Sequence, residues 1–137
     1  MKRIFIILSF IIVATVCCAQ QLIYTPYYGA VGSMTNGKVS WGEYSTMSSS
    51  SIFVSQGEID IYLPDAEIKF RSYSSVKKGK TAKGYPYFYY QGLRSTNGIK
   101  ANLRMDFTDE WIIMSIYMPS MPKPNCLKFK CKQLAEM

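Results

Sequence analysis

The side chains in this sequence best able to do chemistry are rings and lysines. Lys77, Lys78, Lys80 and Lys83 lead into an aromatic run, Lys83-Gly84-Tyr85-Pro86-Tyr87-Phe88-Tyr89-Tyr90. Lys123, Lys128, Lys130 and Lys132 form a second basic stretch, and Trp41 stands apart as an indole able to join the aromatic run. Rings flanked by ammonium groups can stack on sugars or flat apolar ligands, so Trp41, Tyr85, Tyr87 and Tyr89 are the candidate binding residues. The lysines could meet anionic lipid, polysaccharide or nucleic acid. The competing reading is plainer: tyrosine and phenylalanine suit strands, and surface lysines serve solubility. Catalytic groups are scarce. With no histidine in the chain, the commonest general base and the commonest metal ligand are both missing. Asp106, Asp109 and Glu110 are the carboxylates most able to share a neighbourhood, and a hydrolase could use such a pair. Turn aspartates more often bond their own backbone. No serine sits in a nucleophile elbow. These observations favour a non-catalytic protein with no cofactor.

Two short motifs need separate treatment. Gly79-Lys80-Thr81 has the ending of a phosphate-binding loop, but Ser74 stands where that motif needs glycine. Lys83-Gly84-Tyr85-Pro86 follows, which starts no helix. The aromatic run resembles the RNP1 strand of RNA-recognition motifs, which stacks bases on alternating rings beside a positive charge. Pro86 replaces its small residue, Phe88 replaces its aliphatic one, and the helices of that family have no counterpart here. The sequence therefore argues against nucleic acid as the partner and leaves carbohydrate or an envelope protein.

These residues must be held by the rest of the chain, which begins with an address. Lys2 and Arg3 precede an apolar run from Ile4 to Val16, followed by small residues Cys17, Cys18 and Ala19. That is the layout of a secretory signal peptide, with cleavage expected after Ala19. Its apolar part falls short of the roughly 20 residues of a membrane span. Lipidation of Cys17 or Cys18 is the rival outcome. The formal net charge of +7 loses only Lys2 and Arg3 on cleavage. Such a chain resembles small exported proteins of Gram-negative bacteria, placed in the periplasm, the outer envelope or the medium. Residues 20–37, with Pro26, three glycines and Asn36-Gly37, read as a loosely ordered segment. Residues 38–137 read as a single β domain.

Alternation supplies the fold. Glu58 to Leu63 and Ala66 to Arg71 alternate polar and apolar around Pro64-Asp65. Pairing Ile61 with Ile68 and Ile59 with Phe70 puts one apolar face inward. The same pairing sets Asp60 against Lys69 and Glu58 against Arg71 outside. Ile99 to Asp106 and Trp111 to Met118 make a second hairpin, with Met105 expected against Ile112. The second of these strands is apolar on both faces and belongs at the centre of a sheet. Val39 to Tyr44, Ser51 to Ser55, Tyr87 to Gln91 and Leu127 to Lys132 are further strand candidates. The last reads as an edge strand guarded by lysines. Lys77 to Gly84 reads as a loop, and Gln133 to Met137 as a terminal helical turn. The sum is an all-β protein, an antiparallel sandwich or barrel of about seven or eight short strands. Cys126 and Cys131 are expected to stay unbridged, because five extended steps hold their Cα atoms roughly 16 Å apart. Two cysteines without histidine make no zinc site. The functional expectation is a small exported β domain that binds a ligand or partner at the bacterial cell envelope. The alternatives are a structural envelope or surface component without a small-molecule site, and a carboxylate-dependent hydrolase.

Overall fold

The computed structural model describes residues 22–55 and 57–136. The expected signal peptide and the lipidation candidates Cys17 and Cys18 lie outside the described residues. The described chain forms eleven strands: β1 (Leu22–Thr35), β2 (Lys38–Trp41), β3 (Ser45–Thr46), β4 (Ser51–Ser55), β5 (Glu58–Tyr62), β6 (Glu67–Ser72), β7 (Ser75–Lys80), β8 (Pro86–Ser95), β9 (Lys100–Phe107), β10 (Ile112–Tyr117) and β11 (Cys126–Glu136). Every pairing is antiparallel. The order β1-β4-β5-β6-β8-β9-β10-β11 returns to β1, so the sheet closes as an eight-stranded barrel. Closure removes the free edges of those strands, as a barrel must.

The first hairpin has the register that its alternation dictates. Ile59 faces Phe70, Asp60 faces Lys69, Ile61 faces Ile68 and Tyr62 faces Glu67. Leu63 and Ala66 exchange backbone hydrogen bonds across Pro64-Asp65, at 2.8 and 3.4 Å. Outside, the charges regroup. Arg71 reaches Asp60 at 2.9 Å and Glu58 at 3.4 Å, while Lys69 turns to Glu67 at 4.0 Å and lies over the Tyr62 ring. One guanidinium with several donors serves two carboxylates better than a single ammonium does.

The second hairpin differs from the sequence expectation by two residues. Ile112 faces Phe107, and Met114 faces Met105. The cause is the turn. Thr108 Oγ1 accepts from the Trp111 amide at 3.1 Å and donates to the Trp111 carbonyl at 2.7 Å, closing a four-residue connection. A shift of two keeps each side chain on its face. Leu103, Met105, Met114 and Ile116 are therefore fully buried. Ile68 and Ile112 are only half-buried, because they lie near the barrel ends.

Three further expectations are corrected. The segment at 20–37 is not loose over its described part, since β1 is the longest strand. Its residues pair with β11 along one edge and with β4, β3 and β2 in turn along the other. Its glycines give room to neighbours: a Cβ on Gly29 would lie 2.5 Å from the Met47 sulfur, and one on Gly32 would lie 2.6 Å from the Trp41 ring. Asn36 and Gly37, at φ 52° and 80°, make the two-residue turn that an Asn-Gly pair favours. Next, β11 is not an edge strand. It pairs with β10 and β1 and runs as strand through Glu136 rather than ending in a helical turn. Finally, the expected loop Lys77 to Gly84 is a turn only from Thr81 on, since Lys77 to Lys80 belong to strand β7 (Ser75–Lys80), which continues the line of β6 along the edge of β8. Gly79 lies in it beneath the Tyr87 ring, so no phosphate-binding loop exists there.

The interior is filled by side chains. Tyr24, Ile52, Ile59, Phe70, Leu93 and Met105 belong to one core cluster with the residues named above. Glu58, Asp60, Lys69, Arg71, Arg104 and Lys128 lie on the outward register of their strands. A membrane barrel has the opposite arrangement, with an apolar band outside. Among the described residues no helix is long and apolar enough to cross a membrane.

Candidate functional site

Successive residues of a strand face opposite ways, so β8 divides its rings. Phe88 and Tyr90 join the interior cluster. Tyr87 and Tyr89 share the outer face with their partners Asp106 and Arg104 on β9. Those two lie beside Ile113 and Ser115 on β10, which lie beside Lys130 and Lys128 on β11. The outer surface of β8 to β11 is thus a grid of rings, cations and one carboxylate over a partly apolar floor.

Two features raise walls on this grid. The turn between β7 and β8 brings Thr81, Lys83 and Tyr85 to one side. The β1–β2 hairpin brings Trp41 to the other. Between them lies a groove of about 570 Å³, floored by Arg104, Asp106, Ile113, Ser115, Tyr117 and Lys128. Trp41 lies flat because Gly32 beneath it has no side chain. Its ring meets Tyr117 edge-on at 6.3 Å, and Lys128 Nζ stands 4.1 Å from its centroid. Arg104 stacks on Tyr87 at 4.2 Å and holds Asp106 through Nε at 3.0 Å. Along β11 the pattern repeats, with Lys130 over Tyr44 and Lys132 over Trp111, each at 4.4 Å. Tyr27 and Tyr28 close around Trp111 at 6.0 and 5.6 Å. A ring face attracts a cation through its quadrupole, so each ammonium has a seat on a ring, and among the described residues none of the three lies within ion-pair distance of a carboxylate.

The electrostatics follow from this crowding. Burial among rings pushes the Lys128 ammonium below its ordinary range, and Lys130 adds to this while Asp106 opposes it. Burial raises the Tyr117 phenol, partly offset by a hydrogen bond from Ser115 and by the Arg104 charge. The Tyr85 hydroxyl donates to Asp109 Oδ2 at 3.1 Å, and that bond raises its pKa.

Of the residues singled out from sequence, Trp41 and Tyr85 line the same groove. Tyr87 supports it from beneath Arg104, and Tyr89 lies on the outer face beside Arg104 without lining the hollow. Sequence reasoning missed Arg104 and Tyr117. Their signal was present, since both belong to the outward register of the second hairpin. The carboxylates do not assemble. Asp106 is held by Arg104 and Asp109 by Tyr85. Among the described residues no cluster of His, Cys, Asp or Glu could hold a metal. Cys126 and Cys131 are both free and buried. They occupy opposite faces of β11, five positions apart, and Cys131 sits wholly inside, its thiol pushed up to about 12 by burial.

A second hollow, of about 310 Å³, opens where β1 and β11 run past the shorter strands. Val31, Met47, Leu63, Leu127 and Phe129 make it apolar, with Glu43 and Ser45 at its rim.

No family model, no curated protein and no solved structure matches this chain.

Proposed function

We propose that this protein is an exported, non-catalytic β-barrel that binds carbohydrate at the cell envelope, with the groove between Trp41 and Tyr85 as its site. The observation that supports this most is the groove itself, where an indole, two phenols, three cations and a carboxylate converge on one open hollow. Ring faces stack on the apolar faces of sugars, and charged groups exchange hydrogen bonds with hydroxyls. The filled interior supports an external site over an enclosed one. Export rests on the basic, apolar and small-residue order of residues 2–19. A carboxylate-dependent hydrolase is disfavoured, because Asp106 and Asp109 are each engaged by a different neighbour.

The test is a glycan array probed with the protein purified after export of the full chain, alongside its Trp41→Ala variant. Binding to a defined set of glycans is expected, with loss of most signal in the variant and an unchanged melting curve. A blank array, or binding indifferent to Trp41→Ala, would overturn the reading in favour of a structural envelope component.

A further inference from the structure

The proposal rests on the reading of the groove as a carbohydrate site and concerns the class of sugar. We infer that the ligand is an acidic oligosaccharide, laid across β8 to β11 with an acidic group held between Arg104 and Lys128 and its hydroxyls on Asp106 and Tyr117.

Three observations carry this. The first is uncompensated charge. Lys128 stands over the Trp41 ring, and among the described residues no carboxylate lies within ion-pair distance of it. Among the described residues Arg104 bonds Asp106 through Nε alone, which leaves the rest of its donor fork for a ligand. The rings fix both cations in place, so little side-chain freedom is lost when an anion arrives. The second is the span. Three strand spacings from β8 to β11 cover about 14 Å, room for a short run of sugar rings rather than one small anion. The third is Asp106. A carboxylate in the middle of the floor repels a dense polyanion but accepts hydrogen bonds from the hydroxyls between the acidic groups of a glycan. A site built for nucleic acid would not place it there.

The experiment is calorimetric titration of the exported protein with three probes of matched length: an oligogalacturonate, a neutral cello-oligosaccharide and a single-stranded oligonucleotide. The acidic sugar is expected to bind best, with affinity that falls as salt rises. Lys128→Gln should weaken it about tenfold, as loss of a charge-assisted hydrogen bond implies. Lys128→Arg should restore most of this, and Lys69→Gln on β6 should change nothing. Asp106→Asn separates the outcomes, since it should weaken the acidic sugar yet strengthen any binding that is electrostatic alone. Equal binding of the neutral and acidic sugars, lost with Trp41→Ala, would overturn the acidic class while leaving the carbohydrate site standing. Tighter binding of the oligonucleotide, or tighter acidic-sugar binding by Asp106→Asn, would show a mere polyanion surface. Binding of no probe at all would overturn both readings.

Discussion

Asn125 shows how one side chain can hold the end of a barrel. It is buried, and its Oδ1 accepts from the Met34 amide at 2.9 Å. Its own amide donates to the Gly32 carbonyl at 3.0 Å, and its carbonyl accepts from Met118 at 2.9 Å. It thus ties β1 to the connection between β10 and β11. Asn125→Ala should cost about 1–3 kcal/mol, because the Met34 N–H loses its partner where water reaches poorly. Urea unfolding measures this, and a neutral result would mean that water replaces the lost oxygen. Cys131 makes the second prediction at this scale. Burial favours its neutral thiol and raises its pKa from the ordinary 9.0 to about 12. The fold therefore gains this stability in full below pH 9, and loses it progressively as pH climbs toward 12. Iodoacetamide at pH 8 should label Cys131 only in denaturant, since the thiolate is the nucleophile. The alkaline decline in the urea midpoint should be shallower in Cys131→Ala. Rapid labelling of the folded protein would contradict the burial.

At the scale of elements, local alternation was legible and long-range neighbours were not. The β5–β6 register could be read outright, since one slip would turn Ile59, Ile61 and Phe70 outward. The second hairpin could be read by face but not by register, because Thr108 closes the turn with its side chain and no pattern of apolar residues records that. β1 escaped because glycine in isolation signals a loop. Gly29 and Gly32 instead receive Met47 and Trp41, contacts that exist only once distant strands meet. The same holds for the groove: Trp41 and Tyr85 were nameable from type, whereas Arg104 and Tyr117 needed the register to place them beside Lys128. A contrast on the first hairpin tests this level. Ile61 has no exposed surface, so Ile61→Ala should cost about 2–5 kcal/mol. Lys69→Gln should cost less than about 1 kcal/mol, because a half-exposed ion pair contributes little. Equal urea midpoints for the two variants would contradict the register.

The whole molecule depends on one seam. The strands from β4 to β11 form a curved sheet whose edges are β4 and β11, and β1 alone joins them. Its first residues pair with β4 while residues 22–32 pair with β11, so it is shared by both sides of the closure. β1 also supplies Tyr24 to the core and the Gly32 surface on which Trp41 lies. Without it, β11 would expose a row of unpaired backbone groups, and Phe129 and Cys131 would lose their cover on that side. A chain begun at Lys38 should therefore fail to fold, whereas one begun at Gln20, where export would leave it, should fold cooperatively. Far-ultraviolet circular dichroism and thermal melts compare the two. Hydrogen exchange adds a graded measure, with the β1 amides paired to β11 expected among the slowest, since their opening breaks the ring. A stably folded chain from Lys38 would mean that the remaining strands close on each other directly, and would remove β1 from the barrel.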